Sequence, residues 1–348
     1  MTSNRGIKRL VASALASDPV TTLVQPLARN VASVLMLHRF ADSTRGNTGH
    51  DAGVLRSHLA YLRRMRYELI GLSELVTRLR TGEGRLSRTV AFTIDDGYAD
   101  YATVGAPVFE EFDCPATVFV VTGVTDDCGW YWWDRLRVTL ETAARRTVSL
   151  EIGGRSLSLE WSDAQTATRA ARAIVDRLKD VPDLERRRLL DSLALLVDAD
   201  VPATPPPRYA SMSWDEIRAC GRGLTTFGAH TVSHPILART DDAVARSEIE
   251  TSWRRLSAET SAAIPVFCYP NGGPTDLGVR ETRILRELGL TAAVTSRPGY
   301  ASSPAFHRGS DAPYLIPRFP YGGETTELVQ VVSGIERVKL AVRRAVAR

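Results

Sequence analysis

The most constraining feature of this sequence is the alternation of short apolar runs with longer amphipathic stretches. The apolar runs have the length of strands and lie at ASVLML (32–37), RTVAFTI (88–94), ATVFVV (116–121), LTTFGA (224–229), PVFCY (265–269) and TAAVTS (291–296). The stretches between them have helical periodicity, at residues 55–66, 72–80, 101–112, 241–259 and 279–288. Alternating strands and helices form a parallel sheet, and about six such units favour an α/β barrel, though an incomplete one.

The composition is that of a globular protein with enough material for one large barrel or two ordinary domains. The chain has 348 residues, of which 44% are hydrophobic and 24% are charged. Its net charge of +4 is small and scattered, so we expect no nucleic-acid partner. Asp18 and Pro19 interrupt the N-terminal apolar stretch, and the four cysteines are widely separated. These features predict a cytoplasmic protein with free thiols.

The expected domain organisation is a central barrel, residues 31–322, with a further segment at each end. Residues 1–30 form a basic amphipathic segment, and residues 323–348 form a basic helix. Residues 130–209 are predicted to be an insertion on the barrel, with a hairpin that turns at Gly153 and Gly154 and a Pro-rich exit. The basic C-terminal helix either packs on the barrel or lies with the N-terminal segment on an anionic membrane surface.

Two adjacent carboxylates, Asp95 and Asp96, directly follow the second apolar run and precede Gly97. Neighbouring carboxylates at the end of a buried strand repel each other, and each disfavours ionisation of the other. The pair therefore needs compensation, which a bound cation would provide.

His230 and His234 follow the fourth apolar run at a spacing of four residues. On a helical turn this spacing projects both imidazoles to one side, where they can share a cation; the alternative is a hydrogen-bonded pair at a helix start. Because the carboxyl ends of barrel strands meet at one rim, we expect these histidines beside Asp95 and Asp96. Two imidazoles and one carboxylate suit zinc or another borderline divalent ion, and the second carboxylate is then free to act as a base.

The motifs FTIDDG, HTVSH and FCYPNGG, in this order, resemble those of the polysaccharide deacetylase (NodB-homology) family, carbohydrate esterase family four. MLHRF, WWDRL, MSWDEIRACGRG and LIPRFPY resemble further elements of the same subgroup, so the resemblance covers roughly residues 31–321 apart from much of the insertion. It implies a distorted (β/α)₇ TIM-like barrel that removes acetyl groups from N-acetylated carbohydrates.

The resemblance also implies roles for individual residues. Asp96, His230 and His234 would bind a divalent metal, with zinc expected and Co²⁺, Ni²⁺ or Mn²⁺ as alternatives. Asp95 would be the general base that takes a proton from the activated water. The backbone N–H of Tyr269 would stabilise the oxyanion together with the metal.

Two departures from the family pattern concern the groups around the base. Many members carry an arginine in the third motif that orients the catalytic aspartate, whereas this chain has FCYPNGG there. We expect Arg318 to replace it, the alternative being a surface salt bridge. The late Leu-x-His motif, which supplies the general acid, is not evident. His38 is the candidate to protonate the leaving amine, against a supporting role in the core, and His307 is a weaker candidate.

The remaining predicted site residues are expected to contact the substrate. Tyr269 ends the fifth apolar run and Pro270 and Asn271 follow it, at the same rim as the carboxylates. Trp132 and Trp133 form either a sugar-stacking wall or an anchor for the insertion. By contrast, His58 is expected at the surface.

Two other functions stay open on the sequence. The same site could hydrolyse the C–N bond of a small or lipid-linked amide. Alternatively, the barrel could bind carbohydrate without catalysis, which only the missing Leu-x-His motif supports. Retention of all three metal ligands and the base argues against the second alternative.

Overall fold

The computed structural model describes residues 25–306 and 310–346 of the chain. Within these residues the strands are β1 (Ala32–Leu37), β2 (Glu68–Leu69), β3 (Thr89–Ile94), β4 (Ala116–Val120), β5 (Thr147–Ile152), β6 (Arg155–Glu160), β7 (Thr225–Ala229), β8 (Ala263–Cys268), β9 (Ala292–Val294) and β10 (Phe319–Pro320). The α-helices are α1 (Ala52–Arg64), α2 (Leu72–Thr81), α3 (Ala106–Glu111), α4 (Thr122–Asp127), α5 (Trp132–Thr142), α6 (Ala164–Leu178), α7 (Asp183–Leu196), α8 (Trp214–Cys220), α9 (Asp242–Glu259), α10 (Val279–Glu287), α11 (Thr325–Val332) and α12 (Ile335–Val346).

One curled sheet of parallel strands forms the centre of the protein. Its strand order is β10-β1-β3-β4-β7-β8-β9, and β2 pairs with β3 beside this path. Residues 316–320 link the two edges, because Ile316 bridges Val294 of β9 while β10 pairs with β1. The sheet therefore curls into the distorted (β/α)₇ barrel that the sequence predicts.

Successive residues of the longer strands in the central sheet contribute to two different hydrophobic cores. Val34 and Ala91 belong to one core, whereas their neighbours Leu35 and Phe92 pack in the other, beneath the surrounding helices. This alternation is the two-residue period of a strand. Asp95 continues the series of Ala91 along β3, and its side chain therefore faces the inside of the barrel.

The insertion folds around a hydrophobic core of its own. Side chains of α5, α6, α7 and the β5–β6 hairpin form this core. Ile152 pairs with Arg155, and the intervening Gly153 and Gly154 have φ of 56° and 71°, which defines a two-residue turn that requires positive φ at both positions. The predicted hairpin is thereby confirmed.

The C-terminal segment, predicted as one helix, consists of two helices in the described part of the chain. Gly334, with φ of 88°, separates α11 from α12. α11 buries Leu328 and Val329 against the barrel, and Arg337 of α12 donates to the carbonyl of Leu27 at 3.2 Å. None of the described helices is both long and apolar enough to cross a bilayer. Membrane contact stays a prediction, and residues 1–24 and His307 lie outside the described residues.

His58 is buried, so the prediction that it lies at the surface is wrong. Its Nδ1 lies 2.6 Å from the hydroxyl of Tyr321 and its Nε2 lies 3.1 Å from Oγ1 of Thr325. The residue therefore connects α1 to the chain after β10. All four cysteines are free thiols.

Candidate active site

A cleft of about 550 Å³ opens at the carboxyl ends of the barrel strands. Its barrel side is lined by Met36, His38, Asp95, Asp96, His230, His234, Asn271 and Ser296, and its other side by Trp132, Trp133, Arg137 and residues of α6. The volume lies in the range of ordinary ligand sites. The parallel topology thus collects the predicted catalytic residues, and the insertion forms the facing wall.

Asp96, His230 and His234 converge on one point inside this cleft. The Oδ1 atom of Asp96 lies 3.5 Å from Nε2 of each histidine, and all three side chains are buried. His230 donates from Nδ1 to the carbonyl of Cys268 at 2.7 Å, which turns the Nε2 lone pair toward Asp96. A separation of 3.5 Å is long for a hydrogen bond. The three atoms are therefore arranged to share a cation, and a set of two imidazoles and one carboxylate fits zinc.

A second group of possible ligands, Asp95, His230 and Cys268, is less suited to a cation. The guanidinium of Arg318 already contacts Asp95, and its Nη2 lies 3.3 Å from Sγ of Cys268. Burial raises the pKa of the Cys268 thiol, so the sulfur keeps its proton. A fixed positive charge and a protonated thiol both oppose metal binding, which favours the group around Asp96.

The two histidines lie on an irregular loop, so the predicted helical turn is wrong. Thr231 and His234 have φ of 69° and 58°, which no helix contains. The loop is held by Glu248 of α9, which accepts from the N–H groups of Val232 and Ser233 at 2.7 and 2.9 Å. The N–H of His234 also donates to Oγ1 of Thr231 at 3.0 Å. These contacts fix a backbone conformation that would be unfavourable alone.

The start of the insertion contacts the group formed by Asp96, His230 and His234 directly. The hydroxyl of Tyr131 donates to the carbonyl of Asp96, whose φ is 72°. The ring of Trp133 packs edge-on against His234 at 4.7 Å between centroids, and its Nε1 donates to the hydroxyl of Tyr98 at 2.9 Å. Trp133 therefore both packs the insertion on the barrel and forms part of the cleft wall, which Trp132 continues.

Asp95 is held by a bidentate ion pair with Arg318. Nη1 and Nη2 of Arg318 donate to the two carboxylate oxygens at 2.6 and 2.7 Å, and Nε donates to the carbonyl of Thr295 at 2.9 Å. Arg318 is 1% exposed, so the surface salt bridge considered as its alternative is wrong. Burial raises the pKa of Asp95, but the charge and hydrogen bonds of Arg318 lower it more, leaving it well below its ordinary value. Asp95 is therefore ionised at neutral pH.

The other predicted site residues occupy different positions around Asp95. Nε2 of His38 lies 3.9 Å from Oδ2 of Asp95, and its side chain is 46% exposed at the cleft. Tyr269 is buried in the outer core, because the alternation along β8 turns it away from Cys268 and the cleft. Its N–H donates to the carbonyl of Val294 at 3.4 Å. Pro270 is buried, and Asn271 lines the cleft.

The sequence reasoning missed a buried carboxylate behind Trp133. Asp134 accepts from the hydroxyl of Tyr98, and the guanidinium of Arg39 lies 3.8 Å from the centre of the Tyr98 ring. Burial raises the pKa of Asp134 to about 6, although the hydrogen bond from Tyr98 lowers it. The available signal was the placement of Asp134 among aromatic residues directly after Trp133.

We expect the stability of the variant Asp134→Asn relative to the wild type to be greater at pH 8 than at pH 4.5. The pKa of Asp134 rises from an ordinary 3.8 to about 6 on folding, so the folded state binds more protons between these values. Wild-type stability therefore falls as pH rises through this window, by roughly 3 kcal/mol at most. Asparagine keeps an acceptor for Tyr98 and does not titrate. Urea unfolding at both pH values measures the difference, and an equal difference at both would contradict the raised pKa.

Comparison with known proteins identifies a sequence family and a fold. The family model for polysaccharide deacetylase matches residues 83–181 and 188–293. The structure of the Streptococcus pyogenes deacetylase PplD in complex with acetate aligns with a TM-score of 0.56 at 16% identity, covering 87% of this chain and 99% of that one. The structure of IcaB from Ammonifex degensii aligns with a TM-score of 0.53 at 16% identity, covering 88% and 97%. No curated protein matches the chain.

Proposed function

The chain belongs to the polysaccharide deacetylase family, and from this premise we propose that it removes N-acetyl groups from a glycan or glycan precursor. The observation that carries the proposal is the placement of an ionised Asp95 beside the converging Asp96, His230 and His234 in one cleft. Both carboxylates of the adjacent pair thus have a separate role. Hydrolysis of the amide forms a C–O bond to the acetyl carbon, breaks the C–N bond and leaves acetate and a free amine.

We assign the metal-binding role to Asp96, His230 and His234, with zinc favoured by the donor set. A divalent ion bound there would supply Lewis-acid chemistry to water and to the acetamide carbonyl. The residues of the chain prepare this group in advance. The carbonyl of Cys268 fixes the tautomer of His230, and Tyr131 and Trp133 hold the backbone of Asp96 and the ring of His234.

We assign the general base to Asp95 and a positioning role to Arg318. Arg318 fixes the plane of the carboxylate and keeps it ionised, so that Asp95 can accept a proton from water in the cleft. The low pKa means that Asp95 holds this proton weakly. His38, 3.9 Å away and open to the cleft, is the group we propose to deliver a proton to the leaving amine.

The direct test is acetate release from N-acetylated oligosaccharides by the zinc-loaded protein. We expect acetate and free amine in equal amounts, measured by an enzymatic acetate assay and an amine-reactive dye. If acetate is released only from small or lipid-linked amides, the substrate is such an amide and not a glycan. Metal binding at one ion per chain without hydrolysis of any of these compounds would favour the non-catalytic barrel.

Arg318→Met is expected to destabilise the protein by about 3–5 kcal/mol, because it leaves the Asp95 charge buried without its partner. The same change raises the pKa of Asp95, since burial is then no longer opposed by Arg318. The acid limb of the kcat/KM profile should therefore move to higher pH. Urea unfolding and a pH profile measure the two effects. An unchanged profile would show that Asp95 is not the titrating base or that Arg318 does not control it.

A further inference from the structure

The wall of the cleft that faces the catalytic residues carries an excess of positive charge. Three cations line it, namely Arg137 of α5, Arg172 of α6 and Lys179 directly after α6, against one carboxylate, Asp176. On the barrel side, the charge of Asp95 is matched by Arg318, and Asp96 belongs to the metal-binding group. The excess therefore belongs to the insertion.

Two other cations near the cleft have carboxylate partners. Arg135 pairs with Asp191 at 2.7 Å, and Arg239 pairs with Asp180 at 3.5 Å. Among the described residues, by contrast, no acidic side chain forms an ion pair with Arg172 or Lys179. Each of these two cations thus keeps its charge available to a molecule in the cleft.

Arg137 adds a partly fixed charge to the same wall. Tyr209 acts on its guanidinium electrostatically, and the carboxylates that influence it, Asp134 and Glu141, already have partners in Tyr98 and Arg208. No acidic side chain of the described residues forms an ion pair with Arg137, so its guanidinium keeps N–H donors for an anion. This wall therefore combines three cations with the aromatic faces of Trp132 and Trp133, which suit a sugar ring.

We propose that Arg137, Arg172 and Lys179 form a subsite for an anionic group, a phosphate or a carboxylate, carried by the N-acetylated substrate. The inference rests on the proposed function, since it concerns the substrate of the same cleft. Guanidinium and ammonium groups bind both kinds of anion, and an anion here would neutralise cations that the protein leaves without carboxylate partners. The favoured substrate is then an acidic or phosphorylated N-acetylated sugar, and a neutral oligosaccharide lacks the group that the subsite binds.

The test compares binding and turnover of three probes by the zinc-loaded protein. The neutral probe is N-acetylated chitotriose, the phosphate probe is N-acetylglucosamine 1-phosphate, and the carboxylate probe is a hyaluronan tetrasaccharide. The variant Arg172→Gln/Lys179→Gln removes two charges from the wall. The matched control is Arg169→Gln, since Arg169 is exposed on the same helix and does not line the cleft.

We expect at least one anionic probe to bind more tightly than the neutral one in calorimetric titration. The double variant should weaken that binding about 10-fold or more, as expected for lost charge-assisted hydrogen bonds. Where the probe is hydrolysed, KM should rise with little change in kcat, and Arg169→Gln should stay within about twofold of wild type. The probe that loses affinity identifies phosphate or carboxylate as the source of the charge.

Equal binding of all three probes, or anion binding that the double variant leaves unchanged, would overturn the subsite. Because calorimetric binding and acetate release are measured separately, the outcome is separable from the proposed activity. Anion binding that depends on Arg172 and Lys179 without acetate release would keep the subsite and reject the deacetylase. Acetate release from the neutral probe with no effect of the double variant would keep the deacetylase and reject the subsite.

Discussion

Replacing Asp95 by asparagine will lower kcat for acetate release by about 10³-fold, while the protein still binds one metal ion per chain. A general base contributes about 10²–10⁴-fold to a rate, and asparagine has nearly the same shape but cannot accept the proton. Asp95 is not part of the group formed by Asp96, His230 and His234, so metal binding should persist. Acetate release and elemental analysis of the same preparation measure the two quantities.

The control for Asp95→Asn must separate chemistry from stability. The variant leaves Arg318 buried opposite a neutral amide, which by itself destabilises the folded state. In Asp95→Asn/Arg318→Met the buried charge is absent, so stability should recover in part while kcat stays low. A double variant that regains activity together with stability, or a single variant within tenfold of the wild-type kcat, would remove Asp95 as the base.

The strands that carry the catalytic groups were predictable because each is a continuous buried run. β1, β3 and β7 are found within one residue of the predicted positions, since a parallel strand covered by other layers is mostly buried and apolar. β2 and β10 were missed. Each has only two residues, and β10 contains Pro320, so neither leaves a local pattern. Yet β10 and the preceding Ile316 connect the two edges of the sheet and place Arg318 beside Asp95.

The ligand residues were predictable from their strand ends, but their backbone was not. The positive φ of Thr231 and His234 depends on hydrogen bonds to Glu248, on a helix that follows later in the chain. Such a contact leaves no signal in the spacing of the histidines. Arg318 was assigned from the family pattern alone, because nothing local to LIPRF indicates a buried ion pair.

The role of the insertion was the largest gap. Its sequence predicted a hairpin and a Pro-rich exit but not that α6 lies along the cleft. The direction of α6 follows from contacts far apart in the chain, such as the packing of Trp133 on His234 and the core shared by α5, α6 and α7. The motifs FTIDDG, HTVSH and FCYPNGG lie on the barrel, so they carry no information about α6. The cations of α6 could be interpreted only once their position was known.

His230→Ala will abolish binding of one zinc ion per chain, together with acetate release. His230 is one of the three converging side chains to which we assign metal binding, and it is buried and oriented by the carbonyl of Cys268. Loss of an outer partner of a ligand weakens metal binding by about 10–100-fold, so loss of a direct ligand should exceed that. Elemental analysis after dialysis gives the metal content, and circular dichroism checks that the variant is folded.

The variants His38→Ala and Cys268→Ser serve as matched controls and locate the ion. His38→Ala removes an imidazole that lines the cleft outside the ligand group, so metal content should be unchanged while kcat falls. Cys268→Ser removes the sulfur of the competing group but keeps the backbone carbonyl that orients His230. Metal lost in Cys268→Ser and kept in His234→Ala would place the ion beside Asp95 instead. In that case Asp95 would be a ligand, and the division of roles between the adjacent aspartates would be reversed.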